Sequence, residues 1–161
     1  MIGSAYAKRL IRLEIFTVGD LLSHIPTRYQ DYSLISSIAN VQAGEIVTLK
    51  GRVVSAKNRY LATGKSIQKF VIADETGDVD ATWFNLPFLL NSLKTGTKIV
   101  LAGTVTLFGL KREITSPDFE LIRENAPLIN TGRLVPVYPE TSGVSSKWLR
   151  SRVFPLLTTA I

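Results

Sequence analysis

Val47, Leu49, Gly51 and Val53 alternate with Thr48, Lys50 and Arg52, the period-two pattern of a strand with one face buried. Gly51 interrupts that pattern on the apolar face. A glycine inside a long strand permits a sharp bend or bulge, by which a single strand joins both halves of a small barrel. The sequence therefore favours a closed sheet over a flat one.

The rest of the pattern supplies the other walls. A polar stretch over residues 57–65 leads into a second strand carrying Ile67, Phe70, Val71 and Ile72, and Asp74-Glu75-Thr76-Gly77-Asp78 reads as a turn into a third strand over residues 79–84. Leu86, Leu89, Leu90 and Leu93 then follow helical spacing, with Pro87 in the first turn and Gly96 near the end. Ile99, Leu101, Gly103, Val105 and Leu107 line one face of a fourth strand, residues 108–111 make a turn, and residues 113–122 form a fifth strand that tolerates Pro117 as edge strands do. Three strands, a helix and two strands, with a bent first strand, describe a mainly β, five-stranded oligonucleotide- and oligosaccharide-binding (OB) barrel. Its ligand face is strands two and three, flanked by the loops after strands one and four.

Segments outside the barrel read as helical. Ala5, Leu10 and Leu13 lie among Lys8, Arg9 and Arg12 at helical spacing, and Thr17 caps a second short helix, with Asp20 at its third position and Pro26 ending it. The turn between them, Leu13-Glu14-Ile15-Phe16, carries an acid and no glycine, which argues against a phosphate-holding helical hairpin. After Asn125 come Pro127, Gly132, Pro136 and Pro139, and then a helix through Val144, Trp148, Leu149 and Phe154. This divides the chain into a helical pair with connector (1–40), the barrel (41–124) and a linker with a final helix (125–161). Trp148 and Phe154 would cover little of the barrel, so their apolar face is expected to have lain against something absent, and the chain reads as a fragment.

Composition narrows the partner. Nineteen Lys and Arg against thirteen Asp and Glu leave a net charge of +6, which suits a polyanion but also suits simple solubility. The absence of cysteine excludes disulfides and thiolate metal sites, and no apolar run approaches the ~18 residues of a membrane span. A cytoplasmic protein without membrane contact is expected.

Few residues suggest catalysis. Thr63-Gly64-Lys65-Ser66 resembles the tail of a phosphate-binding loop, but Arg59 stands where that loop needs its first glycine, and the segment opens into a strand instead of a helix. His24 is the single histidine and lies among apolar neighbours, while the acids at 74–80 suit a tight turn. No serine has a nucleophile's surroundings, so neither a catalytic residue, a metal ligand nor a cofactor site is expected in this chain.

Cations and aromatics make the constructive signal. Lys57, Arg59, Lys65 and Lys69 lie in or beside the first loop, and Lys111 and Arg112 in the turn between strands four and five, the two loops that rim the ligand groove. Val79, Ala81 and Trp83 share a face, which makes Trp83 the core residue and leaves Phe84 outside, with Phe88 one helical turn on. Two exposed aromatics beside a basic groove suit base stacking; the alternative is that both cap the barrel bottom.

Three runs then resemble the RecG family of ATP-dependent DNA helicases. They are LIRLEIFTVGDLLSHIPTRY with Asp31 following, ADETGDVDATWFNLPFL, and LVPVYPETSGVSSKWLR. The resemblance implies an N-terminal wedge domain that binds stalled forks and Holliday-like junctions. It also implies helicase domains in the same parent chain, which reverse the fork with ATP and Mg. The family's stacking pair corresponds to Phe84 and Phe88, the second commonly tyrosine. The chain departs from the family pattern at Glu14, which stands for an expected glycine, and at Leu86, which stands for an expected glutamine. The motor motifs are not in these residues. Two other readings stay open: a general single-stranded nucleic-acid-binding OB domain, and a protein-interaction OB domain.

Overall fold

The structure is a computed structural model that describes residues 2–159. In chain order its elements are α1 (Ser4–Leu10) with a 3-10 turn (Ile11–Leu13), α2 (Val18–Ser23), β1 (Arg28–Asp31), β2 (Ile35–Ser36) and a second 3-10 turn (Ile38–Asn40). There follow β3 (Ile46–Tyr60), β4 (Ser66–Ala73), β5 (Asp78–Phe84), α3 (Leu89–Ser92), β6 (Lys98–Phe108), β7 (Lys111–Thr115), β8 (Asp118–Leu121), β9 (Leu134–Val137) and α4 (Ser146–Thr159). Among the described residues, 31–133 form one compact unit, and 2–30 with 134–159 form another.

The larger unit is the expected OB barrel. Its strand order is β3-β4-β5-β7-β6, and β6 returns to pair with β3, so the sheet closes. The β5–β7 pair is parallel and the other barrel pairs are antiparallel. β3 makes closure possible by changing partners along its length: Ile46 to Arg52 pair with β6, and Arg52 to Tyr60 pair with β4. Gly51 sits at the handover. A Cβ there would lie 2.7 Å from the Ala73 carbonyl oxygen and 2.8 Å from Ile72 Cγ2, so only glycine lets the two strands approach this closely.

A bulge follows between Val53 and Ser55. It inserts one unpaired residue and shifts the strand's parity. Before it the odd positions Val47, Leu49 and Val53 are buried; beyond it Lys57 and Arg59, also odd, are exposed.

Phe70, Ile72, Val79, Ala81, Trp83, Leu89, Leu93, Ile99, Leu101 and Ile114 fill the barrel, each large apolar side chain contributing about 1.5–3 kcal/mol through burial. Trp83 is core, as alternation requires, and meets Phe70 and Phe119 edge-on at 5.4 and 5.5 Å. Its indole N–H donates to the Pro117 carbonyl at 3.1 Å. The anticipated fifth strand is broken at that point: Ser116 adopts φ 48° and the strand divides into β7 and β8. The anticipated helix over 86–94 is one turn, α3.

The acidic turn serves the backbone. Asp74 accepts from the Thr76 hydroxyl and from the N–H groups of Ile38, Thr76 and Gly77. Burial pushes its carboxyl upward, but these hydrogen bonds outweigh burial and hold it below the ordinary carboxylate value.

The other unit has its own core of Leu10, Ile15, Leu21, Tyr138, Val144, Leu149 and Val153. Thr17 and Asp20 form the expected capping box. Trp148, expected to face something outside the chain, stacks on Tyr6 with centroids 4.6 Å apart. The apolar side of α4 is covered by the N-terminal helices. Among the described residues no helix is long and apolar enough to cross a membrane.

Gly51→Ala should be costly, because the clash is with backbone. We expect a loss of about 1–3 kcal/mol, measured as a lowered urea midpoint, whereas Gly64→Ala, where nothing lies within 4 Å of the added Cβ, carries only the strain of its positive φ.

Candidate nucleic-acid interface

Strand register assembles the outer face of β3, β4, β5 and β7. Lys57 lies opposite Lys69, which lies opposite Thr82, which lies opposite Thr115. One step along, Arg59 pairs with Ile67 and Ile67 with Phe84; one step the other way, Ser55, Val71, Asp80 and Glu113 align. This is the ligand side of an OB barrel. The turns at residues 61–65 and 109–110 rim it, with Gly64 and Gly109 both at positive φ.

Phe84 ends β5 and is 48% exposed; Phe88, just before α3, is 58% exposed. Neither belongs to the buried core of the barrel. A polar clamp holds the loop that carries them. Gln68, fully buried, accepts from the Leu86 N–H at 2.9 Å and donates to Asn58 Oδ1 and Ser66 Oγ, both at 2.8 Å. Asn85, at φ 56°, accepts from the Ser66 N–H through its side chain at 3.0 Å and donates its own N–H to the Ser66 carbonyl at 2.8 Å. The backbone between the two aromatics is thereby tied to β4, which fixes the positions from which the two rings project.

The six expected cations fall into two groups. Lys57 and Arg59 project from β3 instead of from a loop, Lys65 sits in the first turn, and Lys111 opens β7; all four are exposed. None of these four has an ion-pair partner among the described residues. Lys69 and Arg112 are engaged. Lys69 reaches Asp80 at 2.8 Å and lies 5.8 Å from the Phe108 ring centroid. Its pKa is raised: the hydrogen bond to Asp80 is the largest cause and outweighs the lowering by burial, and the charges of Asp80 and Glu113 add to it. Arg112 donates to the Ala39 carbonyl at 3.1 Å.

Sequence reasoning passed over Gln68 and Phe108. A polar residue in phase with the buried Phe70 and Ile72 is the signal for Gln68, since a buried amide must find partners. Phe108, 73% exposed, ends β6 at a position where the sequence pattern gives only a turn. Elsewhere, Lys50, Arg52 and Lys98 line a groove of about 620 Å³ on the β3–β6 side, shared with Asp74 and Glu75; there the mixed signs cancel much of the field. Among the described residues no group of three acids or histidines is placed to hold a metal ion. His24 faces the Pro139 carbonyl at 3.3 Å and stacks on Tyr138.

The fold and this face define the class: a closed OB-type barrel module with two exposed aromatics beside cations that form no ion pair among the described residues. The chain belongs to the RecG wedge domain family, whose model matches residues 1–159. Among its relatives, the ATP-dependent DNA helicase RecG of Pasteurella multocida is 32% identical over 92% of this chain and 21% of that protein. The RecG of Thermotoga maritima is 30% identical over 92% of this chain and 19% of that protein. A solved structure of RecG bound to a three-way DNA junction superimposes with a TM-score of 0.75 at 30% identity, covering 96% of this chain and 21% of that one. The chain spans about a fifth of the length of the curated relatives it matches.

Gln68→Ala should strand the Leu86 N–H and the Asn58 side chain. We expect a stability loss of about 1–3 kcal/mol and faster amide exchange at Leu86, with exchange in β6 changed only by the global loss.

Proposed function

We propose that this chain is the DNA-binding wedge module of a RecG-like ATP-dependent DNA helicase. It holds branched DNA, such as stalled forks and Holliday junctions, and parts strands during fork reversal in recombination and repair. Helicase domains of the same parent chain supply movement, with ATP and Mg bound there. A cytoplasmic setting suits a chain without cysteine.

The observation that carries this reading is the exposed pair Phe84 and Phe88 on a loop tied down by buried Gln68. A paired duplex offers no free base face, whereas the first unpaired bases at a branch point do. Stacking on a ring offsets part of the cost of unstacking them, at about 1–3 kcal/mol per base. Because the loop is already ordered, little conformational entropy is lost when the bases arrive. Lys57, Arg59, Lys65 and Lys111 face phosphates without first giving up a protein partner, and Lys69 and Arg112 take a secondary part. The relative solved on a three-way DNA junction supports the choice of branched DNA over a general single-strand ligand.

Fork, duplex and single-strand binding by the whole chain, measured at several salt concentrations, tests this. Phe84→Ala and Phe88→Ala should each weaken fork binding by about 1–3 kcal/mol and leave duplex binding nearly unchanged. Unchanged fork preference in a fully stable double mutant would exclude the wedge assignment.

Lys57→Glu with Arg59→Glu should weaken all three DNA shapes and reduce the salt slope by roughly one unit per lost phosphate contact. Binding insensitive to salt in the unmutated chain would instead point to a protein ligand.

A further inference from the structure

We infer that Phe108 is a second base-stacking station, at the far end of the same face from Phe84, so that one unpaired strand runs across β4, β5 and β7 between them. The inference rests on the nucleic-acid reading above and adds the track that the strand follows.

The tip of the β6–β7 hairpin is apolar and open. Leu107 and Phe108 are 58% and 73% exposed, and Leu110 is fully exposed. Solvated hairpin tips are ordinarily polar, with glycine and asparagine in the turn. Three large apolar side chains there are mostly open to solvent, Phe108 covering only the Lys69 ammonium. Their immediate neighbours are cations: Lys111 pairs with Phe108 across the hairpin, and the Lys69 ammonium lies 5.8 Å from the Phe108 ring centroid. An aromatic face flanked by positive charge is complementary to a nucleobase carrying its phosphate.

Register sets the length of the track. β5 and β7 are parallel with Asp80 opposite Glu113, so Lys111, and with it Phe108, stands level with Asp78. Phe84 lies six residues further along β5, roughly 20 Å at about 3.3 Å per residue. A stacked strand rises about 3.4 Å per nucleotide, so the track holds at most roughly six nucleotides, within the ~4–16 that one OB fold occupies. Lys57 and Arg59 flank it from β3. The two acids on the path are engaged: Asp80 holds Lys69, and Glu113 accepts the Thr82 hydroxyl. Asp80 is neutralised by its ion pair, whereas Glu113 keeps its charge, which the Lys69 ammonium beside it and Lys111 on the same strand face partly offset.

The test uses the whole chain and forks that differ only in the length of one unpaired arm: none, three, six and nine nucleotides. Affinity should rise about five- to tenfold once the arm reaches about six, and Phe108→Ala should abolish that rise while leaving the armless fork bound as before. Phe108→Trp should keep the rise and show fluorescence quenching, beyond that of unmutated chain, with the longer arms only. Phe84→Ala with Phe88→Ala should lower affinity for every fork yet retain the increment, which separates this inference from the wedge assignment. The inference is overturned by an absence of any arm-length step, by a step that survives Phe108→Ala, or by equal weakening of armed and armless forks in that variant.

Discussion

The close approach of β3 to the end of β4 at Gly51 is the constraint on which the barrel depends. Without a Cβ at that point the strand passes 2.7 Å, measured from where a Cβ would stand, from the Ala73 carbonyl, and it can leave β6 and join β4 within a single residue. Closure follows through the first half of β3, while the residues beyond Arg52 pair with β4 alone.

The bulge two residues further on has an equal consequence for function. It reverses which parity of β3 faces outward, so Lys57 and Arg59 stand beside Lys69 and Phe84 and not on the side of Val53. The same reversal turns Asn58 inward, where it accepts from Gln68. One unpaired residue thus places two cations on the ligand face and completes the clamp beneath the aromatic loop. Order in that loop then comes from hydrogen bonds to β4, and α3, at one turn, is too short to have supplied it.

Charge is distributed with similar economy. Lys69, the cation most central to the face, is bound by Asp80 and covered by Phe108. It serves the sheet first. The cations left open lie at the margins, on the outer strand and in the two turns, where a passing backbone would run. In the middle of the face Asp80 offsets Lys69, and Glu113 keeps its charge while accepting the buried Thr82 hydroxyl.

Much of this was legible in the residues themselves. Period-two alternation located the strands, because a one-residue slip would expose every buried side chain, and it separated Trp83 from Phe84 for the same reason. The Thr17–Asp20 cap and the turn at Asp74 depend on hydrogen bonds a few residues apart, so local sequence determined them. What the sequence did not determine was everything set by contacts between distant segments. Trp83 reaches the Pro117 carbonyl and the fifth strand breaks there; Gln68 finds Leu86; Tyr6 meets Trp148. The parity of Lys57 and Arg59 turned on a bulge that alternation alone does not register, since the inward positions beyond it, Ala56 and Asn58, carry no large apolar side chain to mark the shifted phase, and the bulge is defined only by the partner strand it fails to match.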